Sequence, residues 1–184
     1  MKGFRLIIVF LALACIALPP QVHADLDVKL LMAGTSSSLS DGGAVAQADG
    51  YGIGYGLLMT GRITRDWNYE FGGVFLNRKT QSAVLPERSS LMLPLVFAYR
   101  LIEGLRANVG GYWDYSLQTP PLGYQASAYG ALGGLSLDLQ LIPGVGLVLG
   151  GQYLLQLSSL QPGSLSTKFS DLLLTAGFRL GETR

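Results

Sequence analysis

The chain has 184 residues, of which 49% are hydrophobic and only 14% charged, with 25 glycines, 8 prolines and one cysteine. Thirteen Lys and Arg against twelve Asp and Glu leave a formal charge of +1, too little to hold a nucleic-acid backbone electrostatically. Abundant apolar residues at low net charge exclude intrinsic disorder, and the length suits one domain.

The first segment reads as a secretory signal. Lys2 and Arg5 precede the apolar run Leu6 to Leu18, and Val22 and Ala24 stand at the small-residue positions before a cut. The run is too short for a spanning helix, which needs roughly 20 residues. Cleavage after Ala24 is expected, leaving 25–184 as one domain. Leu13-Ala14-Cys15 also resembles a lipoprotein signal, but that cut would leave Ile16-Ala17-Leu18 at the new N-terminus. Removing 1–24 takes the only histidine, His23, and the only cysteine, and the loss of Lys2 and Arg5 turns the formal charge to −1. Residues 25–184 then hold no imidazole base, no thiol nucleophile and no His/Cys metal site. Hence no catalytic residue, cofactor or metal is expected.

From there the pattern has period two, the strand signature. A weak first strand sets Leu26, Val28, Leu30 and Met32 against Asp27 and Lys29, and a Gly/Ser-rich loop follows from Gly34 to Gly50. In the second, Tyr51, Ile53, Tyr55, Leu57 and Met59 oppose Gly52, Gly54 and Gly56. Its Gly-rich centre lies mid-strand with no helix behind it, so a phosphate loop is excluded. The third sets Trp67, Tyr69, Phe71 and Phe75 against Asn68, Glu70 and Gly72, and a charged loop is expected over Asn77 to Ser90, with Arg78, Lys79, Glu87 and Arg88 near anionic lipopolysaccharide. The fourth runs Leu91 to Leu101, with Pro94 inside it forcing a bulge or break. The fifth runs Leu105 to Leu117, the sixth Tyr129 to Leu141, the seventh Val145 to Ser158 and the eighth Asp171 to Leu180. The phase slips near Gln125 to Tyr129, which predicts a bulge there.

Most of these strands reach the roughly 9–11 residues a tilted membrane strand needs. One face carries Leu, Phe, Tyr and Trp, the other Gly, Ser, Asn, Gln and isolated charges. There are too few charges to coat a soluble exterior. The pattern predicts an all-β, eight-stranded antiparallel up-and-down transmembrane β-barrel, apolar face to lipid and polar face to the lumen. Long connections at 35–49, 77–90 and 159–167 and an intermediate one at 118–123 alternate with short ones at 64–66, 102–104 and 142–144, the rhythm of outer-membrane barrels.

Leu91-Met92-Leu93-Pro94-Leu95, Phe97-Ala98-Tyr99-Arg100, Asn108-Val109-Gly110-Gly111-Tyr112-Trp113-Asp114-Tyr115 and Ala176-Gly177-Phe178-Arg179-Leu180 together resemble the small outer-membrane β-barrel proteins of the PorT-like type. The resemblance implies the fold and an outer-membrane location, with no shared activity. Such barrels commonly end on an aromatic residue, whereas here Gly181-Glu182-Thr183-Arg184 follows Leu180.

On this register Arg62, Glu70, Arg100, Arg106, Asp114, Asp138, Asp171 and Arg179 project inward. They read either as structural ion pairs in a narrow lumen or as a selectivity or acid/base site; eight strands leave an interior that side chains just fill, which favours the first. Tyr51, Tyr55, Trp67, Tyr69, Trp113, Tyr115 and Tyr153 read as interfacial girdles in preference to a ligand-stacking set. Expected partners are outer-membrane lipids, lipopolysaccharide and the barrel-insertion machinery. The function expected is a non-enzymatic barrel, structural or binding through its loops. The alternatives are a narrow porin-like or hydrophobic-solute path, a lipid-modifying enzyme, or a soluble periplasmic barrel.

Overall fold

The computed structural model describes residues 27–40, 50–79, 87–120, 122–160 and 168–181. The signal reading, with Cys15 and His23, and most of the first loop lie outside the described residues. Eight strands follow in order: β1 (Asp27–Ser40), β2 (Gly50–Arg62), β3 (Trp67–Lys79), β4 (Glu87–Ile102), β5 (Leu105–Ser116), β6 (Ser127–Ile142), β7 (Val145–Gln156) and β8 (Lys168–Leu180). Each pairs antiparallel with its sequence neighbour, and β1 pairs with β8 to close the barrel. The expected architecture is the one observed.

Closure fixes the slant of the strands. Stepping from Val28 across Met59, Phe71, Leu95, Gly111, Ala131, Leu155 and Ser170 returns to β1 at Ser38, a stagger of ten residues. With a rise near 3.3 Å and strands about 4.8 Å apart, that stagger tilts them by about 40°. Thirteen residues at this tilt climb roughly 33 Å, more than the ≈ 25 Å apolar band of a membrane barrel.

The alternation is as read in every strand. Leu30, Met32, Ile53, Leu95, Phe97, Leu135, Leu174 and Phe178 are exposed on the outside. Lys29, Glu70, Asp114, Asp171 and Arg179 are buried within. A one-residue slip in any strand would exchange these sets.

Three strands run well into predicted loops. β1 continues through Ser40 into the predicted loop, with Thr35 and Ser37 buried inside and Ser36 exposed outside. β3 reaches Lys79 and β4 starts at Glu87, so Arg78 and Arg88 stand opposite each other in a ladder. Both are buried in the lumen, not on a lipopolysaccharide-facing loop. The sequence reading stopped these strands where the apolar face ended, but the barrel wall rises past that level. Its outside there is polar: Ser36, Asn77, Lys79, Glu87 and Ser89, with Asn77 Nδ2 donating to Glu87 Oε1 at 2.8 Å.

The irregularities also differ from expectation. No bulge interrupts Gln125 to Tyr129; the phase slips because loop residues precede the start of β6 at Ser127. Register shifts fall instead at Arg100/Ile102 and Gln140/Ile142. Each lies just before a tight turn whose glycine, Gly104 or Gly144, has φ near +80°, the left-handed region that other residues avoid. Pro94 interrupts the wall as expected, by a break without a bulge. The β3–β4 ladder skips Gly72 and Gly73 opposite Pro94 and Leu93, yet resumes in unchanged register. These are the pairings that an N–H at position 94 donating to the Gly72 carbonyl would have closed, and proline has no N–H.

Candidate functional site

Among the described residues, the lumen gathers chemistry-bearing side chains from all sides, and it is layered. At the short-turn end β1, β3, β5, β6 and β8 contribute a charged layer. Lys29 Nζ donates to Glu70 Oε1 at 2.5 Å, both side chains almost wholly buried. Arg179 Nη1 donates to Asp138 Oδ2 at 2.8 Å and lies 3.9 Å (Nε) from Asp27 Oδ2, while Arg106 Nη2 is 3.8 Å from the same Asp138 oxygen. Asn68, in the amide orientation that satisfies both its groups, accepts from Arg106 Nη1 at 2.8 Å.

The middle layer is apolar. Leu31, Leu58, Val74, Leu76, Met92, Val96, Leu132, Val148, Leu154 and Leu173 pack across the axis, with Leu76 and Leu154 fully buried. This corrects the expectation of a uniformly polar interior. Leucines fill the waist of the lumen, and the charges sit above and below it.

A second charged layer lies at the long-loop end, built around one guanidinium. Arg78 Nε donates to Asp171 Oδ2 at 2.8 Å, and its Nη1 donates to Ser90 Oγ at 2.6 Å and to Asp114 Oδ2 at 3.2 Å. Arg88 Nη2 stands 3.4 Å from Asp114 Oδ2. The Phe169 ring is within cation–π reach of both arginines, 5.8 Å from Arg78 Cζ and 5.9 Å from Arg88 Cζ. Phe169, Leu160 and Ala128 form a small apolar cap over this layer, with Tyr124 packed against it. A backbone bond from Gln125 N to Leu160 O, 2.7 Å, ties the β5–β6 loop to the segment after β7.

Of the eight residues expected inside, Glu70, Arg106, Asp114, Asp138, Asp171 and Arg179 are brought into these networks. Arg62 and Arg100 sit at the turn end of their strands, where Arg62 is exposed and Arg100 half-buried opposite Arg106. The expected set lacked Asp27, Lys29, Arg78 and Arg88. All four continue the inward phase of their strands, the signal that would have found them.

The aromatics stand outside, as expected. Tyr51, Trp113, Tyr115 and Tyr153 are exposed near the long-loop ends of their strands, joined by Tyr129. Tyr55 lies lower and stacks on Phe75, centroids 5.0 Å apart. At the opposite end Trp67 meets Tyr99 at 5.0 Å. Tyr69 lies flat over its cross-strand partner Gly61, where an added Cβ would fall 2.3 Å from the ring.

No family model matches the chain, and no curated protein matches it. Among solved structures, Neisserial surface protein A is similar over 85% of this chain and 96% of its own, at 16% identity and a TM-score of 0.51. The attachment invasion locus protein Ail of Yersinia pestis is similar over 85% and 99%, at 16% identity and a TM-score of 0.48. The outer membrane protein AlkL in DMPC bilayers is similar over 83% and 89%, at 13% identity and a TM-score of 0.49. At such identity, similarity to Neisserial surface protein A shows a shared fold, the small closed barrel derived above from register and burial.

Proposed function

We propose that the chain is an integral outer-membrane protein whose barrel stays sealed and whose work is done at its long-loop end, without catalysis. The observation that carries this reading is the filled lumen. Two buried charged layers flank an apolar waist in which Leu76 and Leu154 are fully buried. An ion crossing that waist would leave water entirely. The outward leucines and aromatics support lipid contact, and the four longer connections, all at one end, support an outside-facing rim. The partners of this reading are outer-membrane lipids and lipopolysaccharide, and the insertion machinery during assembly. Kinship with the PorT-like barrels rests on the likeness of residues 91–115 and 176–180 alone. A non-enzymatic role is supported by the lack of histidine and cysteine in 25–184.

Planar-bilayer recording tests the sealed lumen. The refolded protein is expected to give no discrete conductance steps, and a steady single-channel current would overturn the reading. A second reading, passage of an apolar solute through the wall, has one specific observation behind it. Where β3 and β4 skip pairing, Pro94 borders a cavity inside the lumen and Gly73 borders an apolar groove outside. Liposome uptake of a small alkane or terpene, faster with the protein than without, would favour that second reading.

A further inference from the structure

The outer face of the wall is apolar over unequal lengths. Outward apolar residues run from Leu180 to Leu172 on β8, from Met59 to Tyr51 on β2 and from Trp67 to Phe75 on β3. They run from Leu105 to Leu117 on β5, from Leu141 to Tyr129 on β6 and from Val145 to Leu157 on β7, half as far again. β4, with Leu101 to Leu91, is intermediate. Leu117 and Leu157 lie just past their strands but continue the ladder, their N–H groups donating to Ser89 O and Tyr129 O at 2.9 Å. At the slant of the wall each residue climbs about 2.5 Å, so the apolar belt is about 20 Å tall on β8, β2 and β3 and about 30 Å tall on β5, β6 and β7. β1 lies in the middle of the low side. Above Met32 its outward positions are Gly34, Ser36 and Ser38.

Both edges of the low side are marked by polar groups. Ser36, Asn77, Lys79 and Ser170 stand above it, and below it the β2–β3 turn exposes Arg62, Thr64, Arg65 and Asp66 around Ile63. The high side is lengthened instead. Its register shifts at Arg100/Ile102 and Gln140/Ile142 leave Leu101 with Ile102, and Leu141 with Ile142, exposed just before their turns. The β2–β3 ladder runs to its turn without such a shift. Tilting the barrel would raise or lower a belt but lengthen none, so a bilayer that meets both sides must change thickness around the wall. We infer that the lipid contact of this barrel is a wedge, with phospholipid pinched to about 20 Å of hydrocarbon against β8, β1, β2 and β3 and standing about 30 Å against β5, β6 and β7. At the long-loop end the headgroups are drawn down onto Ser36 and Asn77. The inference rests on the reading of the chain as an integral membrane barrel.

Depth measurements at matched heights test it. Ser36 is eight residues up β1 from Val28, and Tyr129 is five ladder steps and two residues from it, so both stand about 20 Å above it. In a Cys15→Ser chain, which has no other cysteine, single nitroxides at Ser36→Cys and Tyr129→Cys report depth through collisions with oxygen and with a water-soluble nickel chelate. In palmitoyl-oleoyl phosphatidylcholine vesicles the Ser36→Cys label is expected to lie shallower by about 5 Å or more. Gly34→Cys and Ala131→Cys, a second pair matched in height, should show the same order and keep the test alive if a member of the first pair does not fold. At the turns, Ile63→Cys should meet the chelate and Ile142→Cys should be shielded by lipid. Equal depths within either matched pair, or an Ile142→Cys label in water, would overturn the inference. A label at Leu135→Cys, in the middle of the high side, separates the two readings. Deep at Leu135→Cys with equal pairs sinks the wedge alone, whereas water at Leu135→Cys sinks the membrane barrel and the wedge with it.

Discussion

The two charged layers of the lumen solve the same problem in different ways. At the short-turn end the charges divide: Lys29 and Glu70 make one pair, while Arg179, Asp138, Arg106 and Asp27 make a looser chain in which two contacts stretch to 3.8 and 3.9 Å. At the long-loop end a single guanidinium, Arg78, answers two carboxylates and a hydroxyl, and a second arginine is left with spare donors. The lower layer is a set of local matches spread over several strands. The upper layer is a hub with β3 at its centre. The lesson is that burying charge in a narrow barrel does not require one-to-one pairing, but a hub concentrates the consequence of losing one residue.

Arg78→Met is therefore expected to do the most damage. It would leave Asp171 without its buried counter-charge and Asp114 with Arg88 alone, a loss of about 3–5 kcal/mol. Urea unfolding followed by tryptophan fluorescence in lipid vesicles measures it. Arg88→Met, which leaves Arg78 and both its carboxylates in place, should cost much less by the same measurement. Equal losses from the two would mean that the upper layer is not a hub.

The lower layer makes the complementary case. Lys29→Met alone strands a buried Glu70 and is expected to cost about 3 kcal/mol, the lower end of the range for breaking a buried pair. Lys29→Met with Glu70→Leu removes both charges from a site that already borders the apolar waist through Leu31 and Val74. The double variant should recover most of the loss, since well-packed apolar replacements of a buried pair are often neutral. A double variant as unstable as the single one would show that Glu70 serves more than Lys29.

How much of this the sequence disclosed follows from where alternation speaks clearly. The phase of all eight strands was legible, because bulky apolar residues mark the outer face from Tyr51 to Leu180. Six of the ten charges in the two layers were named from that phase. The hub did not, because Arg78 and Arg88 stand where the outer face has already turned polar, and polar on both faces reads as loop. The apolar waist was hidden for the opposite reason. In stretches such as Val74-Phe75-Leu76 and Leu91-Met92-Leu93, both faces are apolar, so the inner leucines and methionine lose the contrast that marks a face. Alternation thus reports the middle of the wall, where lipid outside meets polar groups inside. It falls silent at the rim, where water is on both sides, and at the waist, where it is on neither.

The smallest expected effect concerns the wall between the layers. Pro94 faces the lumen within the waist, between Met92 and Val96, and leaves the Gly72 carbonyl without its ladder donor. Pro94→Val restores an N–H in a strand whose register does not change across the gap, so the missing bond can close without rearrangement. The expected gain is about 0.5–1.5 kcal/mol, one ordinary intramolecular hydrogen bond, read as a higher urea midpoint with unchanged slope. That gain would be independent of Arg78 and Lys29 variants if the layers and the wall are separate supports; measured together they should add. If Pro94→Val instead lowers stability, the ring itself is packing the cavity it borders, and the break is a structural element of the waist. If it leaves stability unchanged but abolishes alkane uptake, the interruption is a passage, and the sealed barrel gives way to the second reading.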